Sequence, residues 1–528
     1  MKIFTRTVIA VTLSALTMQA QGAEKATPSA LRVVHSQVGD SSAGVPGKLR
    51  LYNIGKKQQY SSADKATFDT DIQSPKSVTY SLDGKTFYVN SLEGCKTAVY
   101  DSKTLEKKGV IEYRFSSGEG PLWAKPSGFY TFTHYKNGEL RDFLGKPVES
   151  TWSHNGRYLW VPFYRRTFDI NAQDPSAIAV IDARKNVIIK MFETGPLPKM
   201  VATSNDGNLI AVTHWGDNTV GFIDITGSDP DKWHHLEPLA AGAKLTLNFP
   251  MNSAVNRDSN SGLLLRGTVF TPDDRYLLVS GMAGPMSVFD IKAHRYVGSV
   301  PSVSNVRHLA IFDGNLYGSC NTAGTAIKMS LDSLVAGIDR AVASGSKSIS
   351  FNGGIKRVNV GSGARTLEVS PDGKYLFVAC NSGNAVYVVD AESMTVVDHI
   401  RNDSYPVGLA LSPDGTQMIV TSQGRKGAGG GNAINIYKVV RPDLPNGVPV
   451  KQSVLADGGE EDLIEGNTPA APVEDEGGID SDTLMIIIIS VIAGLLVFGC
   501  IMYFYPRKRR DSNGRRKRED IDGFIGED

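Results

Sequence analysis

Apolar and polar positions alternate over short stretches through most of the chain, and polar turns break the alternation at close intervals. The runs KTFYVN, RYLWVP, NLIAVTH, RYLLVS, KYLFVAC and TQMIVTS are β-branched and aromatic. That composition suits half-buried strands, not helices. Each run follows a turn of one type: Ser81-Leu-Asp-Gly84, Ser153-His-Asn-Gly156, Ser204-Asn-Asp-Gly207, Thr271-Pro-Asp-Asp274, Ser370-Pro-Asp-Gly373 and Ser412-Pro-Asp-Gly415. A shorter copy, Phe312-Asp-Gly314, precedes NLYGSCN. Asn, Asp and Gly supply the turn conformations that reverse a strand. A third strand follows, ending in Asp101, Asp182, Asp224, Asp290 and Asp390 in five copies. A fourth, weaker strand such as MTVVDHI leads to the next copy.

A four-stranded antiparallel unit cannot bury both faces alone, so its copies must stack. Seven copies predict an all-β fold, a seven-bladed β-propeller. Residues 31–34 and 48–54 read as a further hairpin, which either closes the last blade or starts an eighth; seven is the expectation. Long insertions at 116–146 and 226–263 interrupt the pattern.

The two ends set an expected compartment. Residues 1–22 combine Lys2 and Arg6, a short apolar run and the small residues Ala20 and Gly22, the pattern of a secretory signal peptide. Residues 483–505 hold no charge and are long enough for a single transmembrane helix. Residues 457–482 form an acidic linker, and 506–528 a basic tail whose Lys and Arg read as cytoplasmic. The organisation expected is a propeller at 23–456, outside the cytoplasm, on a single-pass anchor. The tail could also meet anionic lipid.

Composition narrows the function. The 528 residues include 54 glycines, which suits many tight turns. The net charge of +1 excludes a nucleic-acid polycation, and four cysteines exclude a disulfide scaffold. With the acidic linker removed from the sum, the propeller is mildly basic.

The runs VSPDGKYLFVACNSGNAVYVVDAESMTVV and SNDGNLIAVTHWGDNTVGFIDI resemble the YVTN, or YncE-like, β-propeller repeats of exported bacterial proteins. The resemblance implies the propeller fold and kinship with lactonase-type propellers and the haem d1 domain of nitrite reductases. The long insertions and the anchor depart from that repeat.

In a propeller the first strand of each blade lines the axial channel. At the start of that strand the copies hold Lys76, Val148, Lys199, Arg266, Arg307, Arg365 and Val407. Five of seven are basic, where a chain with 56 Lys and Arg in 528 would by chance place fewer than one. A ring of like charge in a narrow mouth calls for an anion, water or counter-ions. The reading is an anion-binding mouth, with a hydrated structural ring paired to carboxylates such as Glu149 as the alternative. His214 ends a second strand on the same face, where Cys320 and Cys380 align. Arg165 and Arg166, in an insertion over 163–169, could lean over the mouth.

No metal or cofactor is expected: C-x-x-C-H, H-E-x-x-H and G-x-S-x-G motifs are absent. Cys320 and Cys380 read as buried thiols, with a disulfide between them as the alternative. The function expected is a membrane-anchored binding module for a small anionic ligand, a surface polymer or a partner protein. The alternatives are an envelope adhesion or scaffold protein, and a lactonase-type hydrolase using channel residues such as His214, Arg307, His308 and Arg365.

Overall fold

The computed structural model describes residues 36–60, 62–135, 142–424 and 431–450. They form a seven-bladed β-propeller of seven antiparallel sheets. Blade 1 starts with the strand Pro75–Tyr80, blade 3 with Pro198–Thr203, blade 4 with Leu265–Phe270, blade 5 with His308–Phe312, blade 6 with Ala364–Val369 and blade 7 with Pro406–Leu411. In each of these the first strand pairs with the second, the second with the third and the third with a fourth.

Local chemistry explains the turns. The Ser81, Ser204, Ser370 and Ser412 hydroxyls each donate to the Asp two residues on, at 2.5–2.7 Å, and Thr271 does the same to Asp273 at 2.6 Å. The following glycine takes φ of 72–76° in those four serine turns, a left-handed conformation that glycine adopts without a Cβ penalty. Asp274 stands there at φ 54° and turns its carboxylate to the N–H groups of Asn205 and Asp206 on the neighbouring blade, both at 2.8 Å. The aspartates ending the third strands cap the next turn. Asp101, Asp182, Asp224, Asp290 and Asp390 each accept backbone N–H bonds at 2.8–2.9 Å from residues two or three further on.

The core lies between blades. Tyr158, Trp160 and Phe192 of blade 2 pack on Val201 and Val212 of blade 3, and equivalent clusters join each successive pair. Tyr88 and Val99 meet Leu159 and Phe163 between blades 1 and 2. Val78 and Phe87 of blade 1 meet Ile419 and Ile434 of blade 7, completing the circle. The N-terminal strand Arg50–Gln58 pairs with Ala433–Val440 and supplies the outer strand of blade 7. Residues near 50 thus close the last blade, and no eighth is built among the described residues. A buried ion pair, Lys56 Nζ to Asp403 Oδ2 at 2.9 Å, fastens this closure.

Two elements depart from the expected pattern. In blade 2 the first strand is split: Phe143–Pro147 pairs with the upper part of Tyr158–Arg166, and Thr151–Ser153 with the lower part. In blade 5 a helix, Leu331–Ser344, sits between the third and fourth strands. Ser330 caps it by accepting the Ser333 N–H, Gly345 ends it at φ 71°, and Leu331, Leu334, Ile338 and Ala341 form its buried face. Those signals are readable in the sequence, but the strand period on either side hides them. The expected signal peptide, acidic linker, transmembrane helix and basic tail lie outside the described residues. Among the described residues no helix is long and apolar enough to cross a membrane.

Candidate functional site

One backbone device recurs where each first strand begins. The residue entering it is left-handed in six blades: Ser74, Leu197, Leu264, Asn305, Gly363 and Tyr405, with φ of 49–78°. Such a conformation is costly for leucine or tyrosine and persists where the surroundings enforce it. A β-bulge follows in five of the blades. Pro75 pairs with Ser91 and Ser77 with Asn90, so Lys76 is an extra residue. Lys199 is extra in the same way between Pro198 and Met200. Arg266 and Gly267 together oppose one residue, as do Arg365 and Thr366. Val407 occupies the bulge of blade 7. Arg307 stands just ahead of its strand, its N–H on the Ser319 carbonyl at 2.7 Å. In blade 2, Glu149 falls in the break between the two halves of the first strand. A bulge re-aims the extra side chain out of the alternation of the sheet.

The bulges are bolted to their neighbours. The carbonyl of four of the bulged residues accepts a bond from the preceding blade: Arg266 from Thr213 at 3.4 Å, Arg365 from Ser319, Val407 from Thr366 at 2.7 Å and Lys76 from Thr421 at 3.4 Å. Arg307 takes the Gly267 N–H at 3.1 Å. The aim of Lys76, Arg266, Arg307 and Arg365 is therefore set by two blades.

The consequence is electrostatic. Lys76, Lys199, Arg266, Arg307 and Arg365 are only 1–4% exposed. Burial, then Arg365, Arg266, Lys199 and Arg307, pull the Lys76 amine well below the ordinary lysine range. Burial and then Arg266 do the same to Lys199, against an opposing pull from Asp258 and with Arg307 and Arg365 adding to the fall. Five blades thus bring five basic groups into one field. Glu149 answers them, its Oε1 3.8 Å from Arg266 Nη2. Burial pushes its carboxyl up, against the pull of Arg266, Lys76, Arg365 and Arg307. Further along the strand of blade 6, burial and then the Glu149 charge push the Glu368 carboxyl up to about 8. Guanidinium groups do not give up their proton. The ring therefore stays positive even with both amines neutral.

Aromatic faces cover part of this charge. Lys199 Nζ stands 4.1 Å from the Tyr164 ring centroid and 4.7 Å from that of Trp215; Trp215 also faces Arg266 at 5.7 Å, and Tyr405 faces Arg365 at 5.8 Å. His308, next to Arg307, is driven down to about 4 by burial and Arg266, and is neutral.

Three residues expected at the mouth are used elsewhere. His214 is fully buried, with Nε2 accepting the Gly195 N–H at 3.0 Å and Nδ1 2.7 Å from Thr219 Oγ1, which donates to Asp217 at 2.6 Å. Both ring nitrogens serve the blade, and burial drives its pKa down to about 3. Arg166 lies inside blade 2, its guanidinium 4.8–4.9 Å from the rings of Trp123, Phe132 and Phe143. Arg165 donates to the Ile170 carbonyl. Both arginines belong to the strand Tyr158–Arg166, which runs further than the sequence pattern suggested. The insertion brings Tyr164 to the ring instead. Cys320 and Cys380 are free buried thiols, without a disulfide.

A recess lies at the opposite end of the first strands. It measures about 560 Å³, is walled by Thr151, Thr203, Phe270 and Phe312 among others, and has Asp313 as the ionisable group of its lining. This recess and the concentrated charge thus lie at different ends of the blades.

No family model matches the chain. Antigen Lp49 of Leptospira interrogans serogroup Icterohaemorrhagiae serovar copenhageni is 33% identical over 70 residues, covering 11% of this chain and 15% of the antigen. The match therefore spans under a fifth of that protein's length. Among solved structures, hydrazine synthase of Kuenenia stuttgartiensis has a TM-score of 0.46 at 15% identity, over 71% of this chain and 97% of that one. The β-propeller domain of Myceliophteria thermophila Cps50 (Swd1) has a TM-score of 0.48 at 11% identity, over 70% and 97%.

Proposed function

We propose that the protein is a binding module whose axial ring takes up a small, compact anion, and that the propeller is held outside the cytoplasm by a single-pass anchor. The observation that carries the ligand reading is that five blades bring five buried basic groups into one field, four of them, Arg266, Lys76, Arg365 and Arg307, acting on the Glu149 carboxyl. Like charges gathered in one field repel one another, and a bound oxyanion relieves that repulsion. Arginine forks suit carboxylate, phosphate or sulfate, which they bind in two-pronged fashion. The anchoring reading is supported by the uncharged stretch 483–505 and the basic cluster that follows it.

Titration calorimetry with phosphate, sulfate and citrate tests the site. Arg307→Ala and Arg365→Ala should each weaken binding by about 1–3 kcal/mol, the range of a charged hydrogen bond. If neither variant differs from wild type for any anion that binds, the ring is structural and the scaffold reading replaces this one. Protease added to intact spheroplasts should remove the propeller and spare a tag placed after Asp528; the opposite pattern overturns the orientation.

A further inference from the structure

We infer that the recess at the turn end of the blades binds an organic ammonium ion, with an amine head and an apolar chain or ring. Its ligand has the opposite sign to that of the axial ring, so the inference stands apart from the anion reading. The starting point is the direction of the hydrogen bonds in the lining. A hydroxyl has one proton to donate and two lone pairs that accept. Thr203 Oγ1 spends its proton on the Trp152 carbonyl at 2.8 Å. Its 3.0 Å contact with Thr151 Oγ1 is then a bond that Thr151 donates. Thr268 Oγ1 donates to the Arg266 carbonyl at 2.7 Å. The Asn205 amide sends its two protons to the Thr271 carbonyl at 2.9 Å and to Asp274 Oδ1 at 2.7 Å. All four side chains line the recess. Every proton they own is used within the protein, and the hydroxyl and amide oxygens are what they offer a ligand.

Asp313 sets the sign. It lines the recess at the start of the shortened turn of blade 5 and is exposed. Its backbone carbonyl takes the Asn315 amide at 2.8 Å, while among the described residues no group bonds to or ion-pairs with its carboxylate. Asp274 stands behind Asn205 and accepts only N–H bonds, from Asn205 and Asp206. Arg275, next in the chain, turns to Asp339 at 2.6 Å. No Lys, Arg or His is part of the lining. An ammonium group has three donors and no acceptor, so it matches oxygens and a carboxylate. An alcohol has one donor for the same oxygens and no charge for Asp313. A carboxylate meets them with lone pairs and like charge. Phe270, Ile311 and Phe312 supply the apolar wall, and about 560 Å³ suits a small organic body.

The test is calorimetry on the full chain at neutral pH with 2-phenylethylamine and hexylamine. Their counterparts are 2-phenylethanol, hexanol and 3-phenylpropionate. The expected result is one amine bound per chain, the alcohols weaker by about tenfold, as for a lost charged hydrogen bond, and no binding of the acid. Asp313→Asn should weaken the amine by about tenfold as well. Asn keeps the left-handed backbone, φ 41° at this position, and the residue is exposed, so the variant should fold. Thr203→Val, which removes an acceptor from the opposite wall, should also weaken the amine. Phosphate should leave amine binding unchanged, because the ring lies at the other end of the blades. The inference is overturned if neither amine binds, if an alcohol binds as well as its amine, or if Asp313→Asn binds the amines as wild type does. Competition between amine and phosphate overturns it too. None of these outcomes touches the anion reading, whose own test is phosphate binding by the arginine variants.

Discussion

Replacing Lys76 by methionine should make the protein more stable at neutral pH in the absence of a bound anion. Methionine has a similar volume, needs no hydration and repels none of the four cations that act on the amine. Exchanging a buried charged group for an apolar one of like size commonly gains about 1–4 kcal/mol. The pH dependence is more diagnostic. The amine has a folded pKa well below the unfolded one, so unfolding takes up a proton between the two values. The penalty is complete below the folded pKa, and stability rises with pH until the unfolded value near ~10.4 is passed. One proton corresponds to about 1.4 kcal/mol per pH unit. The advantage of Lys76→Met should therefore be greatest at neutral pH and shrink by up to about 1.4 kcal/mol per unit as the pH is raised within that window. Urea unfolding of both proteins at a series of pH values, in low-salt chloride buffers, measures the difference directly. Groups common to the two proteins largely cancel. Adding phosphate should reverse the order, because a ligand at 100 times its Kd stabilises the wild type by about 2.7 kcal/mol. A variant less stable than wild type at neutral pH, or a difference that stays flat with pH, would refute the reasoning.

Lys56→Met should destabilise the propeller by about 3–5 kcal/mol in urea, since it leaves the Asp403 carboxylate buried without its ammonium partner; a loss within error would show that blade 7 closes by strand pairing alone. His214→Ala strands the Gly195 N–H and empties an aromatic-sized site, so a loss of about 3 kcal/mol is expected, with anion affinity unchanged in calorimetry. A large fall in affinity without a change in stability would return His214 to the ligand site. Cys380 is buried and its thiol is pushed up to about 12, so iodoacetamide should label it only after denaturation. Rapid labelling of the folded protein would contradict its packing.

Much of the fold is local and so was legible in the sequence. A turn such as Ser370-Pro-Asp-Gly373 completes its bonds within a few residues, and the side-chain order dictates it. Repetition of that turn, with β-branched strands on either side, was enough to count seven blades. The same counting placed Lys76, Lys199, Arg266, Arg307 and Arg365 at one register of the first strand. A hint of the bulges was also present, in Pro75, Pro198 and Pro406. Proline is tolerated in sheets at strand starts and bulges, where no ladder N–H is required.

Only the closed ring decided where those five side chains aim. Lys76, Arg266 and Arg365 depend on bulges held by the neighbouring blade, and the bolt on Lys76 comes from Thr421, 345 residues away. Arg165 and Arg166 show the opposite outcome, because a strand that extended to Arg166 carried them away from the mouth and left Tyr164 there. His214 matched the mouth in register, yet Thr219 and Gly195 claimed both its nitrogens. Local sequence fixes turns and strand period because those bonds are made between near neighbours. Side-chain aim, burial and the sharing of charge arise between residues hundreds apart, and they exist only once Arg50–Gln58 has paired with Ala433–Val440 and the circle is shut.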